Sequence, residues 1–342
     1  MHAEPPKFIH IADVVPRPAA LKAWERQRHR RAHWLVECMA EFMGVFIYCY
    51  AGVGSTASMV VGTLAEQPFL GSLLQVGIAY AVGIVLALTI CASTSGGHLN
   101  PCVTIAFCVF KRFPWKKAPQ YIISQILGAY VACLIVYLQW RTNILQVEEL
   151  LAAAGKLDAI QFTPNGPAGI IGLYTLPNAN LGVVWANEFF ADFFLGLAIW
   201  GCIDPSNFFC PPHLVPYTVG LAYAVVIWGF APNALAANSA RDVGGRLAAL
   251  TLWGKDASGG NYAAIAALTN IPAMLLAALF YEIFFHDSSR VLPPAQRDFL
   301  FGHKAHEEHR DNAHGVRAGA NQALSDSGSS HEADKGYAVH NA

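Results

Sequence analysis

The chain has 342 residues, of which 54% are hydrophobic and 13% charged, with a formal net charge of -1 at pH 7 and a mean hydropathy of +0.37. Soluble domains carry roughly a quarter charged residues, so this composition excludes an ordinary soluble domain, and its long uncharged runs point to a membrane protein. The near-neutral charge gives no footprint for nucleic acid.

Residues 1–33 are a polar tail ending in the basic cluster "RQRHRR". The tail is polar and contains prolines, so no cleavable secretory signal is expected, and the first span directs insertion. Apolar segments follow at about 35–61, 70–92, 118–140, 183–204, 214–232 and 262–285. Each reaches the roughly 20 helical residues that cross a hydrocarbon core, and backbone groups left bare in lipid force these segments to be helices. Two stretches, 100–110 and 238–253, are apolar but too short to span. Residues 141–182 read as a long polar loop, and the chain from about 286 as a solvated polar tail. His303, His306 and His309 recur there at spacing three without a convincing ligand set, and Ser325, Ser327, Ser329 and Ser330 are candidate phosphorylation sites on the same tail.

Basic residues set the orientation. Lys22, Arg26, Arg28, Arg30 and Arg31 precede the first span, and Lys111, Arg112, Lys116 and Lys117 follow the first short stretch, whereas 141–182 carries only Arg141 and Lys156. Such residues collect on the cytoplasmic side, so six spans leave both termini inside. All 8 Cys lie in or beside apolar segments, which reads as small buried hydrophobes and not as a disulfide framework.

The chain repeats itself. "AEFMGVFIYCYAG" opens the first span and "NEFFADFFLGLAIWG" the fourth, placing Glu41 and Glu188 alike. "GGHLNPCVTI" after the second span matches "LAANSARDVG" after the fifth, with Asn100 and Asn238 each heading a short apolar stretch. Three spans per repeat require the halves to be inverted, a mark of transport folds. Asn is a good N-cap and Pro suits the next position because it has no N–H to lose. Asn100-Pro101-Cys102 therefore reads as the start of a re-entrant helix, and so does Asn238-Ser239-Ala240, where Ser replaces Pro. Two such N-termini meeting mid-membrane present about half a positive charge each, repel cations and favour a neutral solute with an acceptor oxygen. The fold expected is an all-α membrane protein of six transmembrane helices plus two re-entrant half-helices in an inverted repeat, with 34–285 as the channel domain. Only small and amide groups are expected between the two Asn.

"SGGHLNPCVTI", "SQILGAY" in the third span and "NSARDVGGR" resemble the major intrinsic protein family, the aquaporins and aquaglyceroporins, over roughly residues 34–285. The family motif usually reads Asn-Pro-Ala, and both Asn are kept here. Arg241 followed by Asp242, with Arg246 four residues later, and the loop ending "GLYTLPNANLG" are similar to the glycerol-conducting branch. The resemblance implies a selectivity filter of Tyr80, Val226 or Ile227, Leu235 and Arg241, with no His to narrow it. A ring of Tyr, aliphatic side chains and Arg suits glycerol, with carbons on the wall and hydroxyls on Arg241; hydrogen peroxide, urea and water also fit. Tyr80 as a packed core aromatic, Leu235 facing a neighbouring helix, and Arg241 held structurally by Asp242 are the alternatives. Glu41 and Glu188 are expected to brace the re-entrant loops by accepting backbone N–H groups, the alternative being proton carriers; Asp192 has no assignment.

Cys102, at a helix N-terminus that lowers a thiol pKa, is expected either to be open to mercurials or to fill the place of the usual Ala, with Cys91 the other pore-adjacent thiol. The function expected is a passive channel for water and small uncharged solutes that excludes ions and protons. It needs no cofactor or metal, carries no enzyme signature, and by resemblance is a homotetramer in the plasma membrane. A secondary transporter and a non-conducting structural member are the alternatives.

Overall fold

The computed structural model describes residues 9, 11–67 and 69–313. Short helices α1 (Ile11–Val14) and α2 (Ala19–Gln27) lead through a π-helical turn, Arg28–Ala32, into the first span. The first half then comprises α3 (His33–Leu64), α4 (Leu73–Ser95), the half-helix α5 (Pro101–Phe110) and α6 (Ala118–Ala153). After the short α7 (Leu157–Ile160), the second half comprises α8 (Leu181–Ile203), α9 (Val215–Phe230), the half-helix α10 (Ser239–Trp253), α11 (Tyr262–Leu268) and α12 (Asn270–Phe284). A final helix α13 covers Pro294–Ala313. Among the described residues, six stretches are long and apolar enough to cross a membrane, the last being α11 and α12 together.

The packing is the inverted repeat made physical. In the first half α3 lies against α4 and α6; in the second, α8 lies against α9 and α12. The halves join along α4 and α9 and exchange their short helices: α5 packs on α12, and α10 on α6. Helices in lipid associate through close backbone approach. A Cβ on Gly128 of α6 would strike the Phe42 carbonyl of α3, and one on Gly220 of α9 would meet the Ala81 carbonyl of α4 at 2.6 Å.

Two expected elements need correction. The third span does not stop at 140: α6 runs for 36 residues, about 54 Å at 1.5 Å per residue, well beyond a hydrocarbon core of roughly 30 Å. Its polar end stays helical because Ile144, Val147 and Leu151 recur on one face and are buried, the first two packed with Ile170 and Ile171 of the following loop. Nor is the chain beyond 286 simply a solvated tail, since α13 docks on the bundle and buries Gln296. The side chain of His309 and residues 314–342, including Ser325, Ser327, Ser329 and Ser330, lie outside the described residues.

Candidate functional site

The two half-helices begin in the same way and face each other. Asn100 caps α5, its Oδ1 accepting from Cys102 N at 3.2 Å, with Pro101 in the first turn. Asn238 caps α10, its Oδ1 accepting from Ala240 N at 2.8 Å and Arg241 N at 3.3 Å. The residue before each Asn is left-handed, with φ of 52° at Leu99 and 55° at Ala237. That conformation is unfavourable for a residue with a Cβ, but it turns each carbonyl toward the opposing half. Asn238 Nδ2 donates to Leu99 O at 2.8 Å and Asn100 Nδ2 to Ala237 O at 3.2 Å. Asn100 and Asn238 are thus tied together through each other's preceding carbonyl.

The two glutamates hold these strained turns. Glu41 is fully buried; its Oε1 accepts from Ser95 Oγ at 2.7 Å and His98 N at 3.0 Å, and its Oε2 from Leu99 N at 2.7 Å and Gln125 Nε2 at 2.6 Å. Gln125, from the "SQILGAY" stretch, also donates to Thr104 Oγ1. In the second half Glu188 Oε1 accepts from Ala236 N at 2.7 Å and Tyr262 OH at 2.8 Å, while Oε2 meets Ala237 N at 3.5 Å. Every contact made by Glu41 and Glu188 is a donor aimed at a carboxylate, as loop bracing requires. His98 packs between Phe107, Phe113 and Tyr121, with Nδ1 3.2 Å from Thr104 Oγ1.

Ser239 does more than replace a proline. Its Oγ lies 2.8 Å from Ala267 O and 2.6 Å from Asn270 Oδ1, where α11 gives way to α12. One hydroxyl has one proton and cannot donate to both oxygens; with the Asn270 amide turned over, its otherwise unpartnered Nδ2 donates to Ser239 Oγ while Ser239 donates to Ala267 O. The side chain pins the start of α10 to the break in the sixth span.

Two cavities approach the half-helices from opposite faces. One, of about 330 Å³, opens on the face away from the termini, and Tyr80, Ile227, Leu235 and Arg241 all line it. Arg241 Nε donates to Tyr80 OH at 3.3 Å and Nη1 to Ile171 O at 3.0 Å. Tyr80 seats against α3 where a Cβ on Gly52 would overlap its ring. Of the two fifth-span candidates, Ile227 borders the cavity, whereas Val226 is wholly buried in the core. Asp242 pairs with Arg246, whose Nη1 donates to Ser258 O at 3.0 Å; neither borders a cavity described here, and Arg241 is not paired with Asp242.

The other cavity, about 660 Å³, opens toward the termini. Asn100, Val103, Phe107 and Val219 line its depth, while Arg28 and, from α13, Gln296, Phe299, Leu300, His303 and His306 border its mouth. Gln296 Nε2 donates to Asn207 O at 2.7 Å and Cys210 O at 3.3 Å, fixing α13 to the loop between α8 and α9. Among the described residues no group of three or more His, Cys, Asp or Glu is placed to hold a metal ion.

Several sequence expectations fail here. Cys102 is 1% exposed, sits in the hydrophobic core and borders neither cavity, as does the buried Cys91, so mercurial access to either thiol is not supported. The expectation of only small and amide groups at the midplane misses two aromatics: Tyr48 and Tyr223 border both cavities, together with Asn238. Register in an all-apolar helix is silent in sequence, so neither residue is marked there as facing the midplane. Asp192 is buried, with Oδ2 lacking a partner.

Residues 28–256 match the family described as Major intrinsic protein. A protein named Aquaporin-3 from Laccaria bicolor is 52% identical over 308 residues, 90% of this chain and 93% of its own length. Aquaglyceroporin-2 from Rhizophagus irregularis is 34% identical over 62% of this chain and 64% of its own length. Among solved structures, the aquaglyceroporin from Plasmodium falciparum superposes with a TM-score of 0.62 at 23% identity, covering 73% of this chain and 96% of that one. The fold, the paired half-helices and a family match over more than half of the chain agree: this integral membrane protein belongs to the major intrinsic protein family and is a channel for water and small solutes, not an enzyme.

Proposed function

We propose that the channel conducts glycerol as well as water, through a filter formed by Tyr80, Ile227, Leu235 and Arg241. One observation carries the reading: a buried guanidinium, held by Tyr80 OH and Ile171 O, faces the aliphatic Ile227 and Leu235 across one cavity. Such a ring offers carbons an apolar wall and hydroxyls a fixed donor, and it has no imidazole to narrow it. The likeness to a protein named as an aquaglyceroporin at 34% identity supports the same solute class. Hydrogen peroxide and urea meet the same chemical criteria.

In this reading Asn100 and Asn238, with Pro101, Cys102, Ser239 and Ala240 behind them, form the central ion barrier, and Glu41 and Glu188 keep it in shape. The Asp242–Arg246 pair stiffens α10 behind the filter. The assembly is a homotetramer in the plasma membrane, with both termini cytoplasmic as the distribution of Lys and Arg requires. The test is stopped-flow light scattering of proteoliposomes under separate gradients of sucrose, glycerol and hydrogen peroxide. Water and glycerol flux, both linear in the gradient, are expected; water flux without glycerol flux would overturn the proposal.

A further inference from the structure

We propose that Cys202 and Cys210 are a redox site, a thiol pair at the larger cavity that hydrogen peroxide converts reversibly into a disulfide. Cys202 lies in the last turn of α8, and the loop that follows folds back on it through successive turns. Asp204 Oδ1 accepts from Ser206 N at 2.8 Å, Asn207 N donates to Asp204 O at 3.0 Å, and Cys210 N donates to Asn207 O at 3.3 Å. Asn207 Nδ2 donates to Gly201 O at 2.7 Å, which ties the loop to the end of the helix it has just left. Cys210 is thereby returned to Cys202. The two side chains share a hydrogen bond, and Cys202 makes a second one with Thr218 of α9.

Pairing and access coincide here and at no other thiol. All 8 cysteines are free. Cys202 and Cys210 both border the cavity of about 660 Å³ that opens toward the termini, and none of the others borders either cavity at the half-helices. Cys49 and Cys133 also neighbour each other, but both are 0% exposed and border neither cavity. Cys202 and Cys210 are 5% and 6% exposed, so the oxidant that reaches them through the cavity is a small one. The thiolate sulfur of one cysteine attacks a peroxide oxygen, the O–O bond breaks, and the leaving hydroxide takes a proton to give water and a sulfenic acid. The second sulfur then attacks the sulfenic sulfur, the S–O bond breaks, and the hydroxide leaves with the second thiol proton as water. Two thiols and one hydrogen peroxide give one disulfide and two waters, and a thiol reductant reverses the step by exchange. The new bond cross-links the end of α8 to the loop that holds α13, whose Gln296 Nε2 donates to Asn207 O and Cys210 O. Oxidation therefore stiffens the platform beneath the helix at the cavity mouth.

The experiment exposes the full chain in proteoliposomes to hydrogen peroxide at a dose that oxidises glutathione in a parallel tube. Catalase then removes the oxidant, N-ethylmaleimide caps the free thiols under denaturing conditions, and mass spectrometry without reduction maps each cysteine. The expected product is Cys202 joined to Cys210 within one chain, uncapped and lighter by two hydrogens, with Cys49 and Cys133 capped as in untreated protein. Dithiothreitol added before capping restores both thiols. Cys202 and Cys210 both capped after the same treatment overturn the proposal. So do a sulfinic or sulfonic acid at either position without the disulfide, a disulfide between two chains, and oxidation of Cys49 and Cys133 to the same extent.

Discussion

The substitution of Ser239 by Ala tests whether the second half-helix is held by its side chain. In wild type the hydroxyl joins Ala267 O and the Asn270 amide, with Ser239 5% exposed and Asn270 fully buried. Two interhelical hydrogen bonds within a membrane average about 0.6 kcal/mol each. The Asn270 amide, left without a partner in a dry site, costs about 1–3 kcal/mol more. The expected destabilisation is therefore about 2–4 kcal/mol, read as a shifted midpoint in equilibrium unfolding of the purified protein in mixed detergent micelles. Restoring the more usual proline with Ser239→Pro should not help, because it too leaves Asn270 without a partner. Combining Ser239→Pro with Asn270→Leu removes both polar partners and should return stability close to wild type, since replacing a hydrogen-bonded pair by apolar groups is nearly neutral. A Ser239→Ala protein within about 0.5 kcal/mol of wild type, the range expected of a surface change, would refute the argument.

Glu188→Gln places an amide N–H against the donors Ala236 N, Ala237 N or Tyr262 OH. About 2–4 kcal/mol of stability should be lost, with reduced water flux in proteoliposomes. Deleting residues 294–342 removes the helix bordering the mouth of the larger cavity, so osmotic water permeability per reconstituted protein should rise; an equal or lower value would show that α13 does not obstruct flow. At Asp204, in the loop after α8, burial pushes the carboxyl upward, but the Ser206 N–H and hydroxyl, the Tyr281 hydroxyl and nearby His286 together hold it below its ordinary value of 3.8. A carboxyl depressed on folding contributes stability above its unfolded value and loses it as pH falls through the folded one. The thermal midpoint should therefore fall on acidification below about pH 4, and Asp204→Asn should start lower at neutral pH and lose less in acid.

The spans, the half-helices and the glutamate braces were legible because each has a local chemical signature. A run of apolar residues must be helical in lipid, Asn at the head of a short helix must cap it, and an intramembrane Glu must have donors. The proposed filter was legible only through the family resemblance, which left Val226 and Ile227 undecided because a one-residue shift rotates a helical side chain by about 100°. The Tyr48–Tyr223 pair stayed hidden for the same reason: nothing in an apolar helix marks which side faces a bore. The end of α6 was misread because its charged residues hid the spacing of Ile144, Val147 and Leu151, which a search for helical periodicity would have found. In α13 the signal was weaker still, since Phe299 and Leu300 are surrounded by polar residues and gain meaning only from the surface beneath them.

The protruding end of α6 gives the proposed filter a foundation beyond the lipid. Ile171, whose carbonyl carries Arg241, is clamped in one apolar cluster with Ile144 and Val147 from that extension. The guanidinium thus hangs from a water-facing collar as well as from Tyr80. Anything that grips or loosens this collar, whether a bound antibody fragment or an altered neighbour in the lipid plane, acts on Arg241 without entering the cavity that it lines.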